Sequence, residues 1–123
     1  MSETFHVRVT KDYLVFSAAH FITLPGNVCE RLHGHNYRVS ISVTGPVDER
    51  IGWVMDFAEL SAAFEPLRAR LDHATLNEVE GLENPTAEHI ARWIWQRVRP
   101  ALPLLSAVVV EENPTNRCEY RGQ

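Results

Sequence analysis

The sequence predicts an α+β domain: an antiparallel four-stranded sheet with two helices on one face, in the order β-β-α-α-β-β. Three observations carry this. Segments with the two-residue period of half-buried strands lie at both ends of the chain, two helical patterns lie next to each other between them, and the strands come in pairs rather than alternating with helices. With 123 residues, 45% of them hydrophobic and 23% charged, the chain has the size and composition of one folded unit, a single domain over residues 1–123.

Each element has its own signal. Phe5, Val7 and Val9 alternate with His6, Arg8 and Thr10; a turn or bulge at Lys11-Asp12 precedes further extended chain from Tyr13 to Phe16. Pro25-Gly26-Asn27 reads as a loop. Tyr37, Val39, Ile41 and Val43 alternate with Arg38, Ser40, Ser42 and Thr44, a second strand that Gly45-Pro46 ends. Trp53-Val54-Met55 reads as short extended chain, and Asp56 as a helix N-cap. Phe57, Leu60, Phe64, Leu67 and Leu71 then recur at spacings of three and four. Pro66 falls inside that pattern and is expected to kink the helix or split it. Leu76 to Glu83 reads as a loop. The second helix opens at Asn84-Pro85-Thr86, buries Ile90, Trp93, Ile94 and Val98, and ends at Pro100. Leu104 to Glu112 and a short strand near Cys118-Glu119-Tyr120 form the closing hairpin around Asn113 to Asn116.

The chemistry concentrates in Cys29-Glu30-Arg31-Leu32-His33-Gly34-His35. In extended chain His33 and His35 project to the same side, and Gly34 between them lets the backbone approach a ligand. Two such imidazoles are half of a metal site for a borderline-soft cation. His20, after Phe16-Ser17-Ala18-Ala19, is the candidate third ligand. The residues alone leave two arrangements open. One is an open catalytic site of three histidines; the other is a closed structural site completed by Cys29 or Cys118. Asp72-His73 is either a helix-end histidine facing the dipole or a carboxylate orienting an imidazole for proton transfer. A cysteine near a metal and an imidazole has a depressed pKa, which would suit Cys29 as a base. Glu112 shares a strand face with Val108 and Val110, so it is either a buried acceptor needing donors or already exposed in the hairpin loop.

The formal charge of −4 argues against a nucleic-acid binder. Eleven of the twelve basic residues are arginine, a preference that coding bias explains for most of them. No apolar run has the length of a membrane span, and the N-terminal residues lack a signal-peptide pattern. A cytoplasmic, reduced setting is expected, with Cys29 a free thiol.

These separated pieces resemble one family. Phe16 to His20, Cys29 to Tyr37, Gly52 to Phe57, Leu71-Asp72-His73, Leu82 to Glu88 and the Glu112 to Cys118 hairpin occur in the order found in the 6-pyruvoyltetrahydropterin synthase superfamily. The three residues between Cys29 and His33 look most like its bacterial carboxy-forming branch, the 6-carboxytetrahydropterin synthases of queuosine biosynthesis. The resemblance implies the tunnelling fold, in which trimers close their sheets into a barrel and commonly pair into hexamers with active sites between subunits. It implies Zn2+ on His20, His33 and His35, Cys29 as catalytic base assisted by Asp72 and His73, and Glu112 as the anchor of the pterin ring with Thr86 nearby. It implies 7,8-dihydroneopterin triphosphate as substrate. Arg8, Lys11, Arg38, Arg117 and Arg121 are the candidates for gripping the triphosphate.

Overall fold

A computed structural model describes the backbone of residues 3–9, 14–24, 28–29 and 31–123, and the side chains of these except residues 9, 24, 28 and 29. The expected turn at Lys11-Asp12, the start of extended chain at Tyr13, the loop Pro25-Gly26-Asn27 and the side chain of Cys29 lie outside the described residues.

The longest strand organises the sheet. β1 (Phe5–Val9) and β2 (Val15–His20) both pair antiparallel with β5 (His33–Gly45), end to end along the same edge. β2 takes the first half of β5, from His20 opposite His33 to Val15 opposite Arg38. β1 takes the second, from Val9 opposite Ile41 to Phe5 opposite Gly45. β6 (Leu105–Asn113) lies on the other side of β5, and β7 (Asn116–Tyr120) pairs with β6 as the expected hairpin. The sheet is thus four strands wide but built from five segments. A two-stranded ribbon, β3 (Thr23–Leu24) with β4 (Val28–Cys29), precedes β5 and has no counterpart in the sequence reading. β5 also begins four residues earlier than the apolar alternation shows, because polar His33 and Asn36 carry no hydrophobic signal while their backbone pairs with β2.

Both helices cover one face. From the sheet, Phe16, Tyr37, Val39, Ile41, Val43, Val108 and Val110 are buried there. They meet Leu60, Phe64, Leu67 and Leu71 of α1 (Phe57–Leu71) and Ile90, Ile94 and Val98 of α2 (Ala87–Val98). Asp56 caps α1 as expected, its Oδ1 accepting the Ala58 N–H at 3.0 Å. Thr86 caps α2, its Oγ1 accepting the His89 N–H at 3.1 Å. α1 runs unbroken through Pro66, so the expected split does not occur. Proline removes one ladder hydrogen bond, whereas the apolar stripe on either side of it is buried in one core, and that burial outweighs the loss. Within the expected loop, Leu76–Glu78 forms one 3-10 turn, and fully buried Leu76 and Leu82 pin it to the core. Trp53 is reduced to a single bridge with Asp48. Among the described residues no helix is long and apolar enough to cross a membrane.

Phe64 is fully buried between α1 and the sheet. Phe64→Ala is expected to cost about 3–5 kcal/mol in chemical denaturation, through lost burial and the void left behind, with one cooperative transition retained.

Candidate metal centre

Strand register builds the site. Because His20 pairs with His33 at the end of the β2–β5 ladder and His35 lies two residues further on the same face, three imidazoles converge where the helix-covered core runs out. Their ligand nitrogens all lie within 4.8 Å of one another, and among the described His, Cys, Asp and Glu residues these three form the one such group. His20 is 1% exposed; His35 is half-buried and His33 exposed. The rings stand edge to face, with centroids 4.6, 4.8 and 5.1 Å apart.

Two backbone carbonyls decide which nitrogens point inward. His20 Nδ1 donates to Pro85 O at 2.8 Å, and His33 Nδ1 donates to Arg31 O at 2.8 Å. A carbonyl only accepts, so each Nδ1 carries a proton, and in the neutral imidazoles both Nε2 atoms present lone pairs. These two Nε2 atoms are 3.1 Å apart. Two bare lone pairs at that distance repel unless they share a cation. Tetrahedral zinc with Zn–N bonds of about 2.0–2.1 Å separates its nitrogens by about 3.3 Å. The donor set therefore fits a metal ion bound by three neutral imidazoles, with outer hydrogen bonds of the kind that orient metal-binding histidines.

The centre opens into a cavity of about 410 Å3, walled by the first turn of α2 and by the β6–β7 hairpin. Glu112 sits where the β6–β7 register slips between Glu111 and Asn113, a bulge that frees its side chain from the ladder. Its Oε1 lies 3.5 Å from His20 Nε2 and 3.9 Å from His35 Nε2. Glu112 therefore takes the buried-face position rather than the solvated loop. Beneath the histidines, the Tyr37 hydroxyl is 3.1 Å from His20 Nδ1, and burial together with the charge of Glu112 pushes its phenol well up, keeping it neutral. Thr86, Glu88, Arg117 and Cys118 also line the cavity. Burial, then the charge of Glu88, pushes the Cys118 thiol up. Cys118 does not join the converging ligand group, so the described residues do not close the site in the structural arrangement.

Asp72 and His73 form their pair but stand apart from this cavity. They follow α1, where Asp72 Oδ1 accepts the Ser17 N–H at 2.9 Å and Oδ2 lies 3.0 Å from His73 Nδ1 and 3.8 Å from Arg68 Nη2. The Ser17 N–H, with smaller help from His73 and Arg68, holds the Asp72 carboxyl below its usual range. His73 adopts φ +59°, a left-handed conformation that costs an L residue about 1–2 kcal/mol; its N–H donates to Ser17 O at 2.5 Å, which holds it there. Its imidazole is 83% exposed and lines a second cavity of about 460 Å3 with Ser17, Ala19, Gly34 and Asn36. Ser17, Ala19, Gly34 and Asn36 alternate with Phe16, Ala18, His20, His33 and His35, so they belong to the sheet face turned away from the helices. Ala18 and His35 also border this cavity.

Of the arginines named for anion binding, Arg117 alone lines the metal-side cavity, and its Nη2 is 3.1 Å from Glu111. Arg8 donates to Ser42 and Arg121 pairs with Glu119. Arg38 borders a third cavity with Asn36 and Glu111, and Lys11 lies outside the described residues. The sequence reading did not single out Glu88, Tyr37 or the Pro85 carbonyl. Glu88 had a faint signal as the acidic residue in the first turn of α2; a backbone carbonyl leaves none.

A sheet covered by helices on one face, with three imidazoles converging at its end, defines an α+β domain bearing a candidate three-histidine metal centre. The family profile described as 6-pyruvoyl tetrahydropterin synthase matches residues 8–123, and the chain belongs to that family. It is 40% identical over 111 residues to a 6-carboxy-5,6,7,8-tetrahydropterin synthase of Synechocystis, covering 85% of this chain and 86% of that one. It is 43% identical over 97 residues to a Drosophila melanogaster 6-pyruvoyl tetrahydrobiopterin synthase, covering 73% of this chain and 58% of that one. A Pyrococcus furiosus dihydroneopterin monophosphate aldolase is 39% identical over 88 residues, 72% of each chain. The fold matches that of Caenorhabditis elegans 6-pyruvoyl tetrahydropterin synthase with a TM-score of 0.86 at 24% identity, over 99% of this chain and 98% of that one.

Because its folded-state pKa is lowered, ionised Asp72 stabilises the fold at neutral pH, and that contribution is lost as pH falls through the lowered value. Asp72→Asn is therefore expected to melt below the wild type at pH 7, with the difference shrinking in thermal melts taken at progressively more acid pH.

Proposed function

We propose that the chain is a zinc-dependent 6-carboxytetrahydropterin synthase. It would convert 7,8-dihydroneopterin triphosphate and water to 6-carboxy-5,6,7,8-tetrahydropterin, acetaldehyde and triphosphate, a step in queuosine biosynthesis. The observation that carries this is the pairing of a lone-pair-presenting histidine cluster with the Glu112 carboxylate across one cavity. A pterin ring edge is rich in N–H donors, and a carboxylate in a half-buried cavity needs such donors. Glu112 would accept from that edge, with Glu88 and Thr86 on the α2 side of the same cavity. The ring would then lie with its side chain toward the histidines.

Zinc bound there would polarise a side-chain oxygen of the substrate and so acidify the adjacent C–H. Cys29, on β4 in register with Thr23, would remove that proton as the thiolate. Asp72 would hold His73 in the orientation that relays it. Since His73 borders the second cavity and not the histidine cavity, and Asp72 is paired with it, the two would serve the histidine cavity of a neighbouring copy in a homo-oligomer, a trimer or pair of trimers. The acidic lining of Glu88 and Glu112 against one cation, Arg117, supports the same reading, because a triphosphate needs further positive charge from a neighbour. We place the enzyme in the cytoplasm, where its pterin substrate would be made.

A second reading, a 6-pyruvoyltetrahydropterin synthase, is favoured by the 43% identity to the Drosophila enzyme. The high coverage of the Synechocystis relative and the three-residue gap from Cys29 to His33 favour the first. Incubation with 7,8-dihydroneopterin triphosphate followed by mass spectrometry separates them. Acetaldehyde with a carboxy-pterin is expected; a pyruvoyl-pterin without acetaldehyde identifies the second. Cys29→Ala is expected to keep one equivalent of zinc while turnover falls at least a hundredfold, and His33→Ala to lose the zinc. A Cys29→Ala chain that loses both zinc and fold would instead mark a structural metal.

A further inference from the structure

Among the described residues no strand lies beside the outer edge of β2. Segment 73–77 takes that place. The His73 N–H donates to Ser17 O, the Ala19 N–H donates to Ala74 O at 2.9 Å, and Ala19 forms a parallel bridge with Thr75. At Leu76 the chain turns into its 3-10 turn, so its backbone leaves the edge just as β2 reaches His20 and Phe21. A side chain continues the pairing. Asn77 Oδ1 accepts the Phe21 N–H at 3.0 Å, and Asn77 Nδ2 donates to Phe21 O at 2.8 Å. The same Nδ2 lies 3.4 Å from Glu83 O, and Asn84 Oδ1 accepts the Thr23 N–H at 3.2 Å.

One amide therefore ties together two backbones whose separation sets the metal-binding geometry. Phe21 follows His20, and Glu83 leads to Pro85, whose carbonyl receives His20 Nδ1–H. His20 is almost fully buried, so if the two segments drift apart no solvent partner replaces that carbonyl. The Tyr37 hydroxyl, 3.1 Å from Nδ1, can serve Nδ1 as donor or acceptor and so does not fix the tautomer. Asparagine suits the task because a side-chain amide offers a donor and an acceptor at the spacing of a peptide group.

We propose that Asn77 is a positioning residue for the metal centre, holding the His20 strand against the Pro85 loop so that His20 presents Nε2 rather than Nδ1. This rests on the reading that the three histidines bind zinc. Loss of an outer partner of a metal-binding histidine costs about 10–100-fold in affinity, and Asn77 acts on His20 through such a partner, the Pro85 carbonyl. Asn77→Ala in the full chain is expected to weaken zinc binding at least tenfold in competition with a chromogenic chelator. In the metal-free chain, 15N NMR of the imidazoles is expected to show His20 moving from the Nδ1–H form to a mixture of tautomers. Zinc affinity within twofold of wild type, or an unchanged His20 tautomer, overturns the proposal. Should Asn77→Ala fail to fold, Asn77→Asp carries the test, since it keeps the acceptor for the Phe21 N–H and loses the donor. The same tautomer mixture is expected in it, and the wild-type tautomer overturns the proposal. A wild-type chain that binds no zinc sinks the metal reading by itself, while the metal-free tautomer comparison still decides whether Asn77 positions His20.

Discussion

The approach of two imidazole nitrogens to 3.1 Å, which in the neutral rings sets lone pair against lone pair, is the constraint on which the site depends. It arises because antiparallel pairing sets His20 opposite His33, while carbonyls of Pro85 and Arg31 commit the other ring nitrogen of each. Neither histidine can relieve the repulsion by changing tautomer without abandoning a carbonyl acceptor. A cation relieves it at no such cost. The centre is thus preorganised by backbone geometry, which is rigid where β2 and β5 pair and where the loop before α2 folds back on them.

The same register divides labour between the two faces of the sheet. On the helix-covered face, alternate residues of β2 and β5 run from core, Phe16 and Val39, to ligand, His20 and His35. On the other face the intervening residues, Ser17, Gly34 and Asn36, floor the cavity that holds His73. Ser17 links the two. Its neighbour Phe16 is in the core, while its own N–H and carbonyl hold Asp72 and the strained backbone of His73. The candidate proton-transfer pair, held by Ser17, and the candidate ligand His20 therefore hang from one strand while facing opposite ways, and the proposed assembly of several copies would bring such halves together.

Much of this was readable without coordinates, for reasons that differ by residue. Val39, Ile41 and Val43, and Leu60, Phe64, Leu67 and Leu71, announce strand and helix because burial selects apolar side chains at the period of the backbone. Asp56 and Thr86 announce helix starts because orphan N–H groups need acceptors. Of the two outcomes expected at Pro66, a kink or a split, the split does not occur, since the local penalty of about 3 kcal/mol is outweighed by the burial of a fifteen-residue amphipathic helix. The β3–β4 ribbon was silent, because two-residue strands have no period to read.

The sequence by itself determined the α+β class and the two helices, and it singled out His20, His33, His35 and Glu112 as candidates, since these are properties of side-chain type and spacing. Only the tertiary structure decided that His20 meets His33, that Glu112 stands at a bulge beside them, and that Asp72 and His73 face away. It alone revealed the Pro85 carbonyl against His20 Nδ1 and the Asn77 amide on the backbone of Phe21. The physical reason is that register, bulges and backbone acceptors depend on which distant segments pair. A carbonyl is present at every residue, so its use leaves no mark in composition.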